Sequence, residues 1–220
     1  MSKVLLICAH PQDEVLGSGG TLAKHAKAGD DVFVSIMSQG ARETMSEEEK
    51  EMLRKETLDA AEILGLKEVF QHNFKYMCFN ATPMIEFTKA LTEDIKEVVP
   101  DIVYTHHRGD VNTDHQMVWN AAMAATRSFG ENKASKICCF EDPSTTTWAP
   151  PFLEYAFLPN VFEDITDTID IKIGALEAYK SERREFPHPR SAESLRLTAQ
   201  VWGIRISAGP TEAFELIREL

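Results

Sequence analysis

The chain has 220 residues, 43% hydrophobic and 26% charged, and its 23 Lys and Arg against 35 Asp and Glu give a formal net charge of −12. That length and balance fit one domain spanning residues 1–220 around a single large core. The excess of acid argues against a nucleic-acid partner, whose phosphates it would repel. The apolar run 4–9 is too short for a signal-peptide core or a membrane span.

Val4–Cys8 reads as a buried strand. Gly17–Gly29 follows as a helix with apolar Leu22, Ala26 and Ala28, stopped by Gly29 and Asp30. Asp31–Ser38 alternates like a second strand and Gln39–Ser46 is loop. Ser46-Glu47-Glu48-Glu49 is a capping-box start for a helix running to Leu64 and stopped by Gly65. Val69–Gln71 suggests a short strand, Met84–Val99 a helix with an acidic outer face, and Ile102–Thr105 another strand. His115–Phe129 reads as a helix and Lys136–Glu141 as a strand. Beyond the Pro/Thr-rich loop 142–153, Glu154–Phe162 is extended, and Thr166–Glu185 and Ala192–Ile206 are helices. This alternation predicts an α/β, Rossmann-like three-layer sandwich, a mostly parallel sheet with helices on both faces.

The first strand ends abruptly in His10 and Asp13, delivering an imidazole and a carboxylate to the edge where open α/β sheets place ligands. That pair suits Zn²⁺ or another divalent metal. About a hundred residues on, Tyr104-Thr-His106-His107-Arg108-Gly-Asp110-Val-Asn112-Thr-Asp114-His115 supplies a matching half. His10, Asp13 and His115 are the candidate metal ligands, leaving positions open for water and substrate, the pattern of a catalytic site. For any one of these histidines alone, a hydrogen-bonded strand cap is the commoner role. Three such residues in two strand-end loops favour the metal. Cys8, Cys78, Cys138 and Cys139 lack a Cys-x-x-Cys spacing and read as reduced thiols of a cytoplasmic protein. Gly17-Ser18-Gly19-Gly20 lacks the full dinucleotide-binding fingerprint.

Ala9-His10-Pro11-Gln12-Asp13-Glu14 resembles the Ala-His-Pro-Asp-Asp-Glu signature of the LmbE/PIG-L superfamily of metal-dependent N-deacetylases. Asp110-Val-Asn112-Thr-Asp114-His115 is similar to the second motif of one branch, where other branches have His-Pro-Asp-His. Gly19-Gly20-Thr21, Ala60-Ala61, Leu64-Gly65 and Pro187-His188-Pro189-Arg190-Ser191 agree with it. The resemblance implies a zinc-dependent hydrolase removing an N-acetyl group from a small-molecule amino sugar, sugar nucleotide or glycoconjugate. A homo-oligomer is left open.

The departure lies at Gln12, the position of the superfamily's general base, because a carboxamide orients water but does not accept its proton. Three readings stand: a change introduced to trap substrate, a natural residue with Asp110 or Glu14 as the base, or a protein that no longer deacetylates. The last would make it a metal-containing binder of acetamido sugars, and a different amide hydrolase on the same scaffold is a further alternative. Asp114 looks like a carboxylate fixing a ligand imidazole, or an N-cap for the following helix. His188 is a candidate compensating acid in place of the histidine that Asn112 replaces, or a surface histidine. Of Arg42, Arg54, Arg108 and Arg190, the motif residues Arg108 and Arg190 are the best candidates, with Asn112, for holding substrate. His106 is a candidate for packing behind the ligands, and Trp148 for a lid or a packing contact.

Overall fold

The computed structural model describes residues 1–127 and 134–220. The first strand, β1 (Lys3–Cys8), is apolar at nearly every position because both its faces are covered. Val4, Leu6 and Cys8 point into one core, and Leu5, Ile7 and Ala9 into the other. Helices α1 (Asp13–Lys27), α2 (Glu47–Leu64) and α5 (Ile169–Ala178) fill the first face, while α3 (Met84–Val98) and α4 (Thr113–Ala125) fill the second. β2 (Asp31–Ile36), β3 (Glu68–Gln71), β4 (Ile102–His106) and β5 (Lys136–Phe140) run parallel to β1. β7 (Thr211–Glu219) pairs antiparallel with β5, and β6 (Val161–Asp164) pairs antiparallel with β7 at the edge, giving the order β3-β2-β1-β4-β5-β7-β6. The three-layer α/β class expected from the sequence is the one observed.

From β1 the chain winds out to β2 and β3 on one side, then returns to β4 and β5 on the other. The crevice beyond the carboxyl ends of β1 and β4 is therefore the switch point of the sheet, where such folds bind ligands. The two motif loops leave those two strands.

Several elements differ from expectation. Helix α1 begins at Asp13, four residues before the expected start, because Gln12 turns the chain in the left-handed region at φ 84°. The glycines expected at its start lie inside it and let the sheet approach. A Cβ on Gly17 would fall 2.1 Å from the Phe140 ring. A buried ion pair also meets this helix: Glu212 accepts from the Gly20 and Thr21 amides, and Lys172 donates to the Leu16 carbonyl and, at 2.6 Å, to Glu212.

The capping box is present, with Ser46 accepting from the Glu49 amide and Glu49 accepting from that of Ser46. The helix expected over Thr166–Glu185 is only α5. It ends at Tyr179, whose buried hydroxyl is tied to Glu14 at 2.6 Å, and a 3₁₀ turn at Lys180–Glu182 redirects the chain toward the sheet edge. In the stretch expected to be extended, a 3₁₀ turn at Leu153–Tyr155 precedes β6. α4 ends at Ala125; the expected helix end at Phe129 lies outside the described residues. The expected final helix is α6 (Ala192–Ile206), and β7 after it was not anticipated.

Candidate metal centre

His10 and Asp13 leave the end of β1 on the turn that starts α1. Their spacing is fixed locally: the His10 amide donates to Asp13 Oδ2 at 2.9 Å, and Gln12 holds the left-handed turn between them. A buried non-glycine residue at positive φ costs on the order of 1–3 kcal/mol, a strain found mostly where function requires it. His115 enters from the first turn of α4. Asn112 caps that helix by accepting from the Asp114 amide. Asp114, considered above for the cap, is thereby free for a different task.

One ligand atom from each of His10, Asp13 and His115 falls within 4.8 Å of the others, and all three residues are buried. His10 Nε2 lies 3.0 Å from Asp114 Oδ2, and its Nδ1 lies 3.5 Å from Asp13 Oδ2. The Phe79 amide donates to the other oxygen of Asp114. His115 Nδ1 lies 3.2 Å from Asp110 Oδ2, and its Nε2 lies 3.4 Å from Asp13 Oδ2, with neither ring nitrogen in a well-aligned hydrogen bond. Each imidazole thus has a carboxylate behind one nitrogen and turns the other to Asp13, the arrangement in which metal-ligating histidines are held.

The electrostatics ask for positive charge. Burial alone lowers the His115 pKa, but Asp13 and Asp110 raise it to about 10. Burial raises that of Asp13, yet His115 and His10 hold it well below the usual carboxylate range. Two buried imidazoles, a buried carboxylate and ring nitrogens without aligned partners fit a divalent ion of borderline hardness. Lone hydrogen-bonded strand caps would not require that convergence.

His106 stacks on His115 with ring centroids 3.9 Å apart, and its Nε2 accepts from the Ala9 amide at 3.0 Å. Burial and the neighbouring His115 lower its pKa. It is a neutral ring packed behind the cluster.

A cavity of about 40 Å³ opens over His10 and Asp13, bounded by Arg42, Tyr76, Asn112, Glu182 and Arg190. Arg190 and Asn112, two of the residues singled out in the sequence, are on its wall. Tyr76, with its ring 4.8 Å from that of His10, and Glu182 were not anticipated, and Arg42 had not been preferred. They come from loops whose return to the sheet edge no local pattern announces. Arg108 departs from expectation: it approaches Glu215 at 3.7 Å, and that carboxylate also engages His107. His188 is exposed and lines a neighbouring cavity instead, its Nδ1 accepting from the Arg190 amide. Trp148 is 75% exposed.

The acids considered as alternative bases have other partners. Asp110 accepts from Thr145, Thr146 and the Asn112 amide while facing His115. Glu14 sits in the core on Tyr179, burial pushing its pKa up to about 7. Gln12 is buried, and neither the nitrogen nor the oxygen of its carboxamide has a hydrogen-bond partner among the described residues.

A family model described as PIG-L, GlcNAc-PI de-N-acetylase, matches residues 5–126. The chain belongs to the PIG-L family. The "uncharacterized deacetylase YaiS" of Escherichia coli K12 is 31% identical over 184 residues, 81% of this chain and 90% of that protein. Among solved structures, the conserved protein TT1542 of Thermus thermophilus superposes with a TM-score of 0.80 at 24% identity, over 100% of this chain and 96% of that one. The N,N′-diacetylchitobiose deacetylase of Pyrococcus horikoshii gives 0.77 at 25% identity, over 98% and 84%. The PIG-L match contains His10, Asp13 and His115 with the carboxylates behind them, while Glu182 and Arg190 of the cavity wall lie beyond it.

Proposed function

We propose that the protein is a divalent-metal-dependent hydrolase, with Zn²⁺ the favoured ion, that removes the acetyl group from an N-acetylated amino sugar or its conjugate. Water and the amide give acetate and the free amine. The reading is carried by the buried convergence of His10, Asp13 and His115 in a chain related to diacetylchitobiose deacetylase. His10, Asp13 and His115 would hold the ion, which when bound supplies Lewis acidity toward water and the amide carbonyl.

The protein's own groups do the rest. Asp114 and Asp110 fix the orientation of the two imidazoles. The carboxamide of Gln12 orients water by hydrogen bonding and accepts no proton. Tyr76, Asn112 and Arg190 border the small cavity and restrict what reaches it. The four free cysteines support a cytoplasmic setting.

A second reading, a metal-containing binder of acetamido sugars that does not cleave them, is favoured by Gln12 alone. Acetate release measured across a panel of N-acetylated sugars separates the two. Release by the zinc-loaded protein, lost in His115→Ala, supports the hydrolase. Saturable sugar binding with no release, in the protein and in Gln12→Asp alike, supports the binder.

A further inference from the structure

The cavity over the metal cluster adjoins a second one of about 270 Å³, and the two share Arg42, Glu182 and Arg190. Arg184 and His188 line the outer one and not the inner. Three guanidinium groups therefore bound a single space against one carboxylate. Glu182 is shared between two of them, accepting from Arg42 at 2.8 Å and from Arg184 at 3.2 Å. Arg190 has no carboxylate within 4.0 Å among the described residues, and its Nε donates to the Ser144 hydroxyl at 2.9 Å. Ser144 in turn donates to Asp142, which is buried beneath it. The lining of the outer cavity thus carries three guanidinium groups and one carboxylate, with Asp142 behind Ser144, in a chain whose net charge is −12. His188 registers them: partial burial, Arg190 and Arg184 together lower its pKa.

Surface arginines are ordinarily solvated and carry no message. These form a wall continuous with the candidate metal pocket, against the sign of the molecule as a whole. A guanidinium presents a planar fork of donors that matches a carboxylate or phosphate. We infer that the acetamido sugar acted on carries an anionic substituent, phosphate or carboxylate, which docks against Arg184 and Arg190 in the outer cavity while the acetamido group enters the inner one. The acetamido end of this assignment rests on the deacetylase reading, and the anion end does not.

The test compares N-acetylglucosamine, N-acetylglucosamine 1-phosphate and N-acetylmuramic acid, by acetate release and by calorimetric binding, with inorganic phosphate as competitor. At least one anionic sugar is expected to exceed the neutral one about tenfold in kcat/KM and in affinity, and which one does so identifies phosphate or carboxylate. Arg184→Gln and Arg190→Gln should each reduce that ratio about tenfold, and added salt should erode it. A neutral sugar handled as well as both anionic ones, or a ratio untouched by both substitutions, overturns the inference. Acetate release without anion preference leaves the deacetylase reading standing and removes this one. Arginine-dependent anion binding with no acetate from any sugar does the reverse.

Discussion

Asp114 and His10 face each other with Oδ2 3.0 Å from Nε2, and this contact turns the imidazole's Nδ1 toward Asp13. Asp110 repeats the relationship on His115 through the opposite ring nitrogen. Asp114→Asn or Asp110→Asn should therefore weaken divalent-metal affinity about 10–100-fold without unfolding the chain. His10→Ala or His115→Ala should remove about one bound ion per chain. Elemental analysis after dialysis against graded chelator reads both, and full occupancy in all four variants would discard the centre.

Gln12 occupies the turn between two of the candidate ligands, where a carboxylate would serve as base. Gln12→Asp should raise acetate release by ~10²–10⁴-fold, leave metal content unchanged and add an acidic limb to the pH–rate profile. Identical rates and identical pH profiles in the two proteins would show that position 12 has no part in proton transfer.

Lys172 and Glu212 are nearly inaccessible, and removing one strands the other as an uncompensated buried charge. Lys172→Met should cost about 3–5 kcal/mol, and a Lys172→Met, Glu212→Leu double variant should recover much of the loss. Urea unfolding of the two variants decides it. Equal destabilisation in both would mean that the amide contacts of Glu212 dominate.

Gly17→Ala would push a methyl group into the Phe140 ring. The expected cost is about 1–3 kcal/mol from overpacking, with partial relief when Phe140→Leu is added. Thermal unfolding of the single and double variants measures the coupling, and additive losses would rule out the clash.

Burial holds the Glu14 carboxyl at about 7 in the fold, against 4.5 for the free side chain. A raised carboxyl pKa favours the folded state at low pH, and that contribution is lost as pH rises from about 4.5 to about 7. Glu14→Gln, which keeps a hydrogen-bond partner for Tyr179, should flatten the slope by a few kcal/mol across that window. Stability curves of the two proteins that run parallel from pH 4.5 to 7.5 would refute the assignment.

What the sequence disclosed was whatever local chemistry dictates. The apolar run of β1, the capping box at Ser46 and the three candidate metal ligands follow from short patterns that fold in place. β7 was hidden because Ala213, Glu212, Glu215 and Leu216 are good helix formers, and pairing with β5 overrides that preference. The roles of Arg42, Tyr76 and Glu182 depend on long loops closing over the sheet edge. The cap at Asn112 and the turn of the Asp114 carboxylate toward His10 depend on where the first turn of α4 begins, a boundary finer than periodicity resolves.

The bend at Tyr179 has a consequence for how such proteins diversify. The candidate ligands and the carboxylates behind them lie before residue 116, inside the family match, whereas Glu182, Arg184 and Arg190 come from the stretch after the bend and lie beyond that match. The candidate metal cluster and the two arginines proposed to hold the anion therefore occupy separable lengths of chain. Exchanging 142–190 between relatives should shift the preference for a sugar's charged decoration while leaving the candidate metal cluster where it is.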